Sequence, residues 1–164
     1  MSESLIPAEA YDMIGKVTGT RSGVVFAKEA QRFAAAVGDL NPIYFEEEAA
    51  KAQGYKGIVA PPMFLAQVTQ GVTRIDNLNV DGLAAGGNRR DVPLNVSRVM
   101  AGGEEIEFFE PIYPGDTISM ETKVVSIEEK EGRSGRFVIV TRASHCTNQD
   151  GVLVGIITTQ SITR

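Results

Sequence analysis

The hydrophobic rhythm of the chain changes about halfway along. Ala30, Phe33, Ala34 and Val37 fall at i, i+3, i+4 and i+7, one apolar stripe that predicts a helix over 28–37, with Gly38 as its stop. Val24-Val25-Phe26, just ahead of it, reads as a short strand. A shorter helix is expected over 46–52, ended by Gly54. Pro61-Pro62 then opens a third, since a first helical turn does not need the missing N–H. Met63, Phe64, Ala66, Gln67, Val68 and Val72 make that helix mostly apolar. It is expected to lie buried against a sheet and to end between 71 and 74.

Residues 76–91, with Gly82, Gly86-Gly87 and Arg89-Arg90, follow no period and read as an irregular excursion. Loops of that length in a compact domain tend to be functional or mobile. From 95 onward the texture is β. Residues 105–110 precede the turn Pro111-Ile112-Tyr113-Pro114-Gly115-Asp116, after which Ile118, Met120, Thr122 and Val124 alternate with Thr117, Ser119, Glu121 and Lys123. Turns at 132–135 and at Asn148-Gln149-Asp150-Gly151 delimit two more strands over 136–147 and 152–162, Asp-Gly being a strong hairpin signal. Three long antiparallel strands after one buried helix predict an α+β fold, a curved antiparallel sheet wrapped around a central helix. No repeat or linker interrupts the 164 residues, which suit a single domain over 1–164.

Composition narrows the function. Hydrophobic residues make up 43% and charged residues 23%, values of a globular chain. The net charge is −5 and no basic run exceeds Arg89-Arg90, so a nucleic-acid footprint is missing. The single cysteine, Cys146, excludes an internal disulfide, and with one histidine, His145, it cannot build a zinc site; no metal and no cofactor are expected. Both sit in a predicted strand and read as ordinary strand residues. The first residues carry an acid and no basic stretch, unlike a signal peptide, and no apolar run approaches the ~20 residues that span a bilayer. A cytoplasmic location without membrane contact is the expectation.

The chemistry concentrates in Gly38-Asp39-Leu40-Asn41-Pro42-Ile43-Tyr44. On residue type alone Asp39 and Asn41 are turn formers, whose side chains bond neighbouring backbone. The heptad also resembles the Gly-Asp-x-Asn-Pro-x-His signature of the MaoC-like (R)-specific enoyl-thioester hydratases and dehydratases. Two further stretches carry the resemblance: the run from Tyr55 through Ala60-Pro61-Pro62-Met63-Phe64, and Phe108-Phe109-Glu110-Pro111-Ile112-Tyr113-Pro114-Gly115-Asp116. Together they span about 24–162 and look most like the N-terminal-type MaoC dehydratase domain, which includes accessory subunits of heteromeric 3-hydroxyacyl-thioester dehydratases.

The resemblance implies a hot-dog fold and an acyl-CoA or acyl-carrier-protein thioester as ligand. It places Asp39 at the catalytic aspartate, Asn41 at the positioning amide and Tyr44 at the catalytic histidine. It also places Pro61 and Pro62 where the family has His-Gly, the glycine N–H facing the thioester carbonyl. Both departures remove function: a phenol with a reference pKa of about 10 is a poor base at neutral pH, and proline has no N–H. Pro61, Pro62, Met63 and Phe64 are the expected acyl-contacting residues, with core packing as the other role of Met63 and Phe64. Arg89 and Arg90 could meet a carrier phosphate or simply solvate a surface.

The expected function is therefore the non-catalytic, acyl-holding half of a (3R)-hydroxyacyl-thioester dehydratase or enoyl-CoA hydratase of fatty acid metabolism, paired with a catalytic MaoC-like subunit. Two alternatives stand beside it: a homodimeric hydratase using Asp39 with Tyr44, and an acyl-thioester binding module without turnover.

Overall fold

The computed structural model describes residues 4–70, 75–78, 80 and 91–164. Its strands are β1 (Val17–Val24), β2 (Val99–Phe108), β3 (Thr117–Gly132), β4 (Gly135–Thr147) and β5 (Leu153–Thr163), joined in one sheet of order β1-β3-β4-β5-β2. Every neighbouring pair is antiparallel. The helices α1 (Ala27–Val37), α2 (Glu47–Ala52) and α3 (Leu65–Val68) fall between β1 and β2, with 3-10 turns at Pro42–Tyr44, Pro62–Phe64 and Ile75–Asn77, and a further 3-10 turn, Ala8–Met13, precedes β1. This is an α+β hot-dog fold.

The alternation in β3 has its expected consequence: Ile118, Thr122 and Val124 are buried. A register shift between Val124 and Ser126 lets Ile127 turn inward as well. Val138, Val140, Arg142, Ser144 and Cys146 of β4 continue the same face, and the Thr122 and Ser144 hydroxyls hydrogen-bond each other at 2.8 Å across it. The 148–151 hairpin closes on Asn148, whose Oδ1 accepts from the N–H of Asp150 and of Val152, both at 3.0 Å.

α1 matches its predicted stripe except at one end. Ala30 and Ala34 are buried and Phe33 meets Phe64 edge-on at 5.7 Å, but Val37 is 60% exposed, because the helix stops immediately after it. The strand expected at 24–26 lies earlier, as β1, since Val25 and Phe26 already lead into α1.

The central helix differs from expectation in length. It consists of the Pro62–Phe64 turn running into α3, and Thr69 and Gln70 are outside it; residues 71–74 fall outside the described residues. Such a short element covers only one end of the sheet, where Phe64 and Leu65 pack with Val25, Ile112, Ile118, Cys146, Val154 and Ile157. It approaches closely because two strand positions lack a side chain. A Cβ at Gly23 would sit 1.9 Å from the Val68 carbonyl oxygen, and one at Gly155 would sit 2.6 Å from Leu65 Cδ2. The other end is covered by the Ala8–Met13 turn, not anticipated from the sequence, and by the segment entering β2: Ile6, Ala10 and Val92 pack on Val124, Ile127, Val138 and Val140.

That returning segment is pinned by an ion pair. Arg142, 2% exposed, donates from Nε to Asp91 Oδ2 at 2.9 Å, from Nη2 to Asp91 Oδ1 at 2.5 Å and from Nη1 to Ser161 Oγ at 3.0 Å. Burial alone would push the Asp91 carboxyl up. The hydrogen bond and charge of Arg142 outweigh it, with smaller contributions from its own backbone and the Thr18 hydroxyl, and hold it below the ordinary carboxylate range.

Among the described residues no helix is long and apolar enough to cross a membrane.

Candidate active site

The Gly38–Tyr44 stretch is built by local hydrogen bonds. Gly38 takes a left-handed conformation (φ 76°) that ends α1, and its N–H reaches the carbonyls of Ala34 and Ala35. Asp39 Oδ1 accepts from the Asn41 N–H at 3.4 Å, and Asn41 Oδ1 accepts from the Ile43 N–H at 3.2 Å, capping the Pro42–Tyr44 turn. Asp39 and Asn41 are exposed, so both act as turn formers. That turn aims Ile43 and Tyr44 inward, where both are 7% exposed. Gln31 Nε2 of α1 donates to the Tyr44 carbonyl at 3.1 Å and fixes its backbone.

The phenol of Tyr44 lies within the electrostatic reach of Asp39. Burial is the main reason its pKa lies above the ordinary value, followed by the charge of Asp39 and the hydrogen bond to it, with a smaller contribution from Tyr55. At neutral pH the Tyr44 hydroxyl therefore keeps its proton.

The segment after α2 ties this turn to the Pro-rich corner before β3. The Val59 N–H donates to the Ile43 carbonyl at 3.2 Å, and the Ala60 N–H to the Ile112 carbonyl at 2.9 Å. The corner itself is held by Asp116, whose Oδ2 accepts from the Tyr113 N–H at 2.8 Å. The three motif stretches therefore converge. Between them lies a cavity of about 230 Å³ lined by Ile43, Tyr44, Tyr55, Val59, Ala60, Pro62, Leu65 and 108–112, with Glu110 as the charged residue of its wall.

Of the residues singled out from the sequence, Tyr44 and Pro62 line this cavity. Asp39 is outside its lining and acts on it through its charge on the Tyr44 phenol. Pro61 is buried beside it, Met63 is 50% exposed, and Phe64 turns into the core against Phe33. Arg89 and Arg90 lie outside the described residues. Tyr55, Val59, Leu65 and the 108–112 run were not assigned to the site beforehand. The signal that could have found them is Phe108-Phe109, two adjacent large apolar residues at a strand end that no single core face can bury together.

His145 is exposed on β4 opposite Glu121, remote from this cavity's lining. Burial pushes the Cys146 thiol up to about 11, which keeps it protonated and unreactive. Among the described residues no group of three or more His, Cys, Asp or Glu is placed to hold a metal ion.

Comparison with known proteins assigns the family. Residues 12–156 match the model described as FAS1-like, dehydratase domain region. The chain belongs to that family.

Among its relatives is a UPF0336 protein of Streptomyces avermitilis, 34% identical over 107 residues; the match covers 64% of this chain and 63% of that protein, less than two thirds of its length. A probable enoyl-CoA hydratase alpha subunit of Thermomonospora curvata is 35% identical over 115 residues, covering 65% of this chain and 35% of that protein. Two solved structures share the fold. One is the ChsH1-ChsH2 complex of Mycobacterium tuberculosis (TM-score 0.71, 20% identity, 93% of this chain and 87% of that one). The other is the C-terminally truncated HadBC (3R-hydroxyacyl-ACP dehydratase) complex of Mycobacterium tuberculosis (TM-score 0.63, 24% identity, 88% of this chain and 94% of that one). The fold of this FAS1-like dehydratase-region chain is thus the MaoC-like hydratase/dehydratase fold.

Proposed function

We propose that this chain is the non-catalytic, acyl-holding subunit of a heteromeric (3R)-hydroxyacyl-thioester dehydratase or enoyl-CoA hydratase, working in the cytoplasm as one domain beside a MaoC-like subunit with an intact Asp/His pair. The observation that carries it is the composition of the cavity wall, which holds Tyr44, its pKa raised by burial and by Asp39, and the Pro62 ring, the two residues at the motif positions of histidine and glycine.

Adding water across an enoyl thioester requires a base for the water, an acid for the α-carbon and donors at the thioester oxygen. Tyr44, its pKa raised by burial and by Asp39, holds its proton at neutral pH and cannot be the base. Pro62 offers no N–H, and losing one such donor costs on the order of 10²–10³ in rate in well-studied enzymes. Apart from Tyr55 and Glu110 the remaining wall is apolar. At about 230 Å³ it is sized for an acyl tail rather than for a whole carrier-linked thioester. The names of two similar proteins support the assembly: one neighbour is a dehydratase complex and one relative is called an alpha subunit.

The test is titration of this chain into the MaoC-like subunit of its own organism that carries Gly-Asp-x-Asn-Pro-x-His, following crotonyl-CoA hydration. The rate per catalytic subunit is expected to rise and saturate at equal stoichiometry, and to be unchanged when this chain carries Asp39→Asn. Loss of activity on Asp39→Asn would instead favour a working Asp39/Tyr44 site, the reading that the influence of Asp39 on the Tyr44 phenol supports.

A further inference from the structure

Much of the backbone of the cavity wall is already hydrogen-bonded. The N–H of Val59 donates to the Ile43 carbonyl, that of Ala60 to Ile112 and that of Phe109 to Val154, while the Tyr44 carbonyl accepts from Gln31. Pro62 and Pro111 have no N–H to offer. The polar side chains of the described lining are the phenols of Tyr44 and Tyr55 and the exposed carboxylate of Glu110. A carboxylate accepts only, whereas a phenol both donates and accepts. Selectivity for a polar group inside this cavity therefore falls to the two tyrosines.

Separate local devices bring the two phenols together. The Pro42–Tyr44 turn aims Tyr44 inward, where it is buried. After α2, Gly54 takes a left-handed φ of 88° and the Tyr55 N–H returns to the Ala50 carbonyl at 3.1 Å. That sets the Tyr55 ring against the cluster of Ile43, Tyr44 and Val59. Tyr55 is near enough for its charge to act on the Tyr44 phenol. Among the described residues the Tyr55 hydroxyl has no hydrogen-bond partner, and no buried side-chain polar atom is left without one, so this hydroxyl is accessible. A plain hydrocarbon tail filling the cavity would strip water from it and return nothing. A tail with a hydroxyl of its own would not.

Resting on the acyl-holding reading, we infer that Tyr44 and Tyr55 form a two-phenol seat for a hydroxyl on the acyl chain, Tyr55 donating to its oxygen and the Tyr44 oxygen accepting its proton. The cavity then discriminates by functional group. A hydroxyacyl chain engages both phenols, whereas a saturated or unsaturated chain of the same length engages neither. For a dehydratase the consequence is directional: the (3R)-hydroxyacyl form is retained, and the enoyl product, which has lost that hydroxyl as water, is released. Specificity comes from burying polar groups that only one of two ligands can satisfy.

The test is titration calorimetry of the chain with (3R)-hydroxybutyryl-CoA, butyryl-CoA and crotonyl-CoA. The unmodified chain is expected to bind the hydroxyacyl thioester about tenfold more tightly than the other two, the effect of one or two net hydrogen bonds. Tyr55→Phe keeps the ring in its cluster and removes the hydroxyl. It is expected to bring the three affinities within about threefold of one another while leaving that for butyryl-CoA unchanged. A merely structural Tyr55 would instead weaken all three together. Tyr44→Phe is expected to lose the preference in the same way; should it not fold, Tyr55→Phe decides alone. Equal affinities in the unmodified chain, or a preference that survives Tyr55→Phe, overturns the inference and leaves the acyl-holding reading standing. Absence of binding by all three probes retires that reading and the inference with it.

Discussion

Tyr44 is the residue on which the proposed reading turns. Its ring is buried in the cavity wall, and burial, then the charge of Asp39, raise its pKa. The raised pKa has a measurable consequence. An unfolded tyrosine ionises near pH 10, whereas the buried one keeps its proton to higher pH. The stability that this phenol contributes is complete below pH ~10 and is lost as pH rises through the folded-state value. Denaturant melts between pH ~8 and ~11 are therefore expected to show an alkaline loss of stability that is smaller in Tyr44→Phe. An equal loss in both proteins would place the Tyr44 phenol outside the Asp39 field. The local turn is legible in the sequence, because Asp39 and Asn41 satisfy backbone groups two residues away. That the cavity wall continues into 108–112 is not, because it depends on the long-range bond from Ala60 to Ile112.

At the level of elements, the strands follow the alternation and hairpin signals closely, while the central helix does not follow its apolar content. Apolar residues from 63 onward promise a long buried helix, yet α3 ends at Val68 and packs against β1 only because Gly23 leaves room. The rest of the sheet is covered by non-helical segments, whose packing has no period to read. Asp91 holds one of them in place, and removing it strands a buried guanidinium. Asp91→Ala is expected to cost about 3–5 kcal/mol in chemical denaturation at neutral pH. Because the carboxyl of Asp91 titrates below its ordinary value in the fold, its contribution is present above pH ~4 and is lost as pH falls through the folded-state value. The gap between the two proteins should accordingly narrow in acid. A gap of under ~1 kcal/mol at neutral pH would mean that the segment is held by Val92 and its apolar neighbours alone.

For the whole molecule, the family and the hot-dog sheet are those of hydratases and dehydratases, and the proposed reading adds that the cavity holds an acyl tail without a base or a helix N–H of its own. Sequence alone carries the two substitutions, Tyr44 and Pro62, because both lie in a recognisable motif. It does not show that they face the same cavity, which emerges only when the Tyr44 turn and the start of the central helix are brought together. The measurement that bears most directly on this account is crotonyl-CoA hydration, followed at the enoyl-thioester absorbance, by the purified chain alone and by its Tyr44→His/Pro62→Gly variant. The account predicts no turnover above background from the unmodified chain and a gain over background in the variant; turnover by the unmodified chain in the usual enzyme range of ~1–10³ s⁻¹ would contradict it.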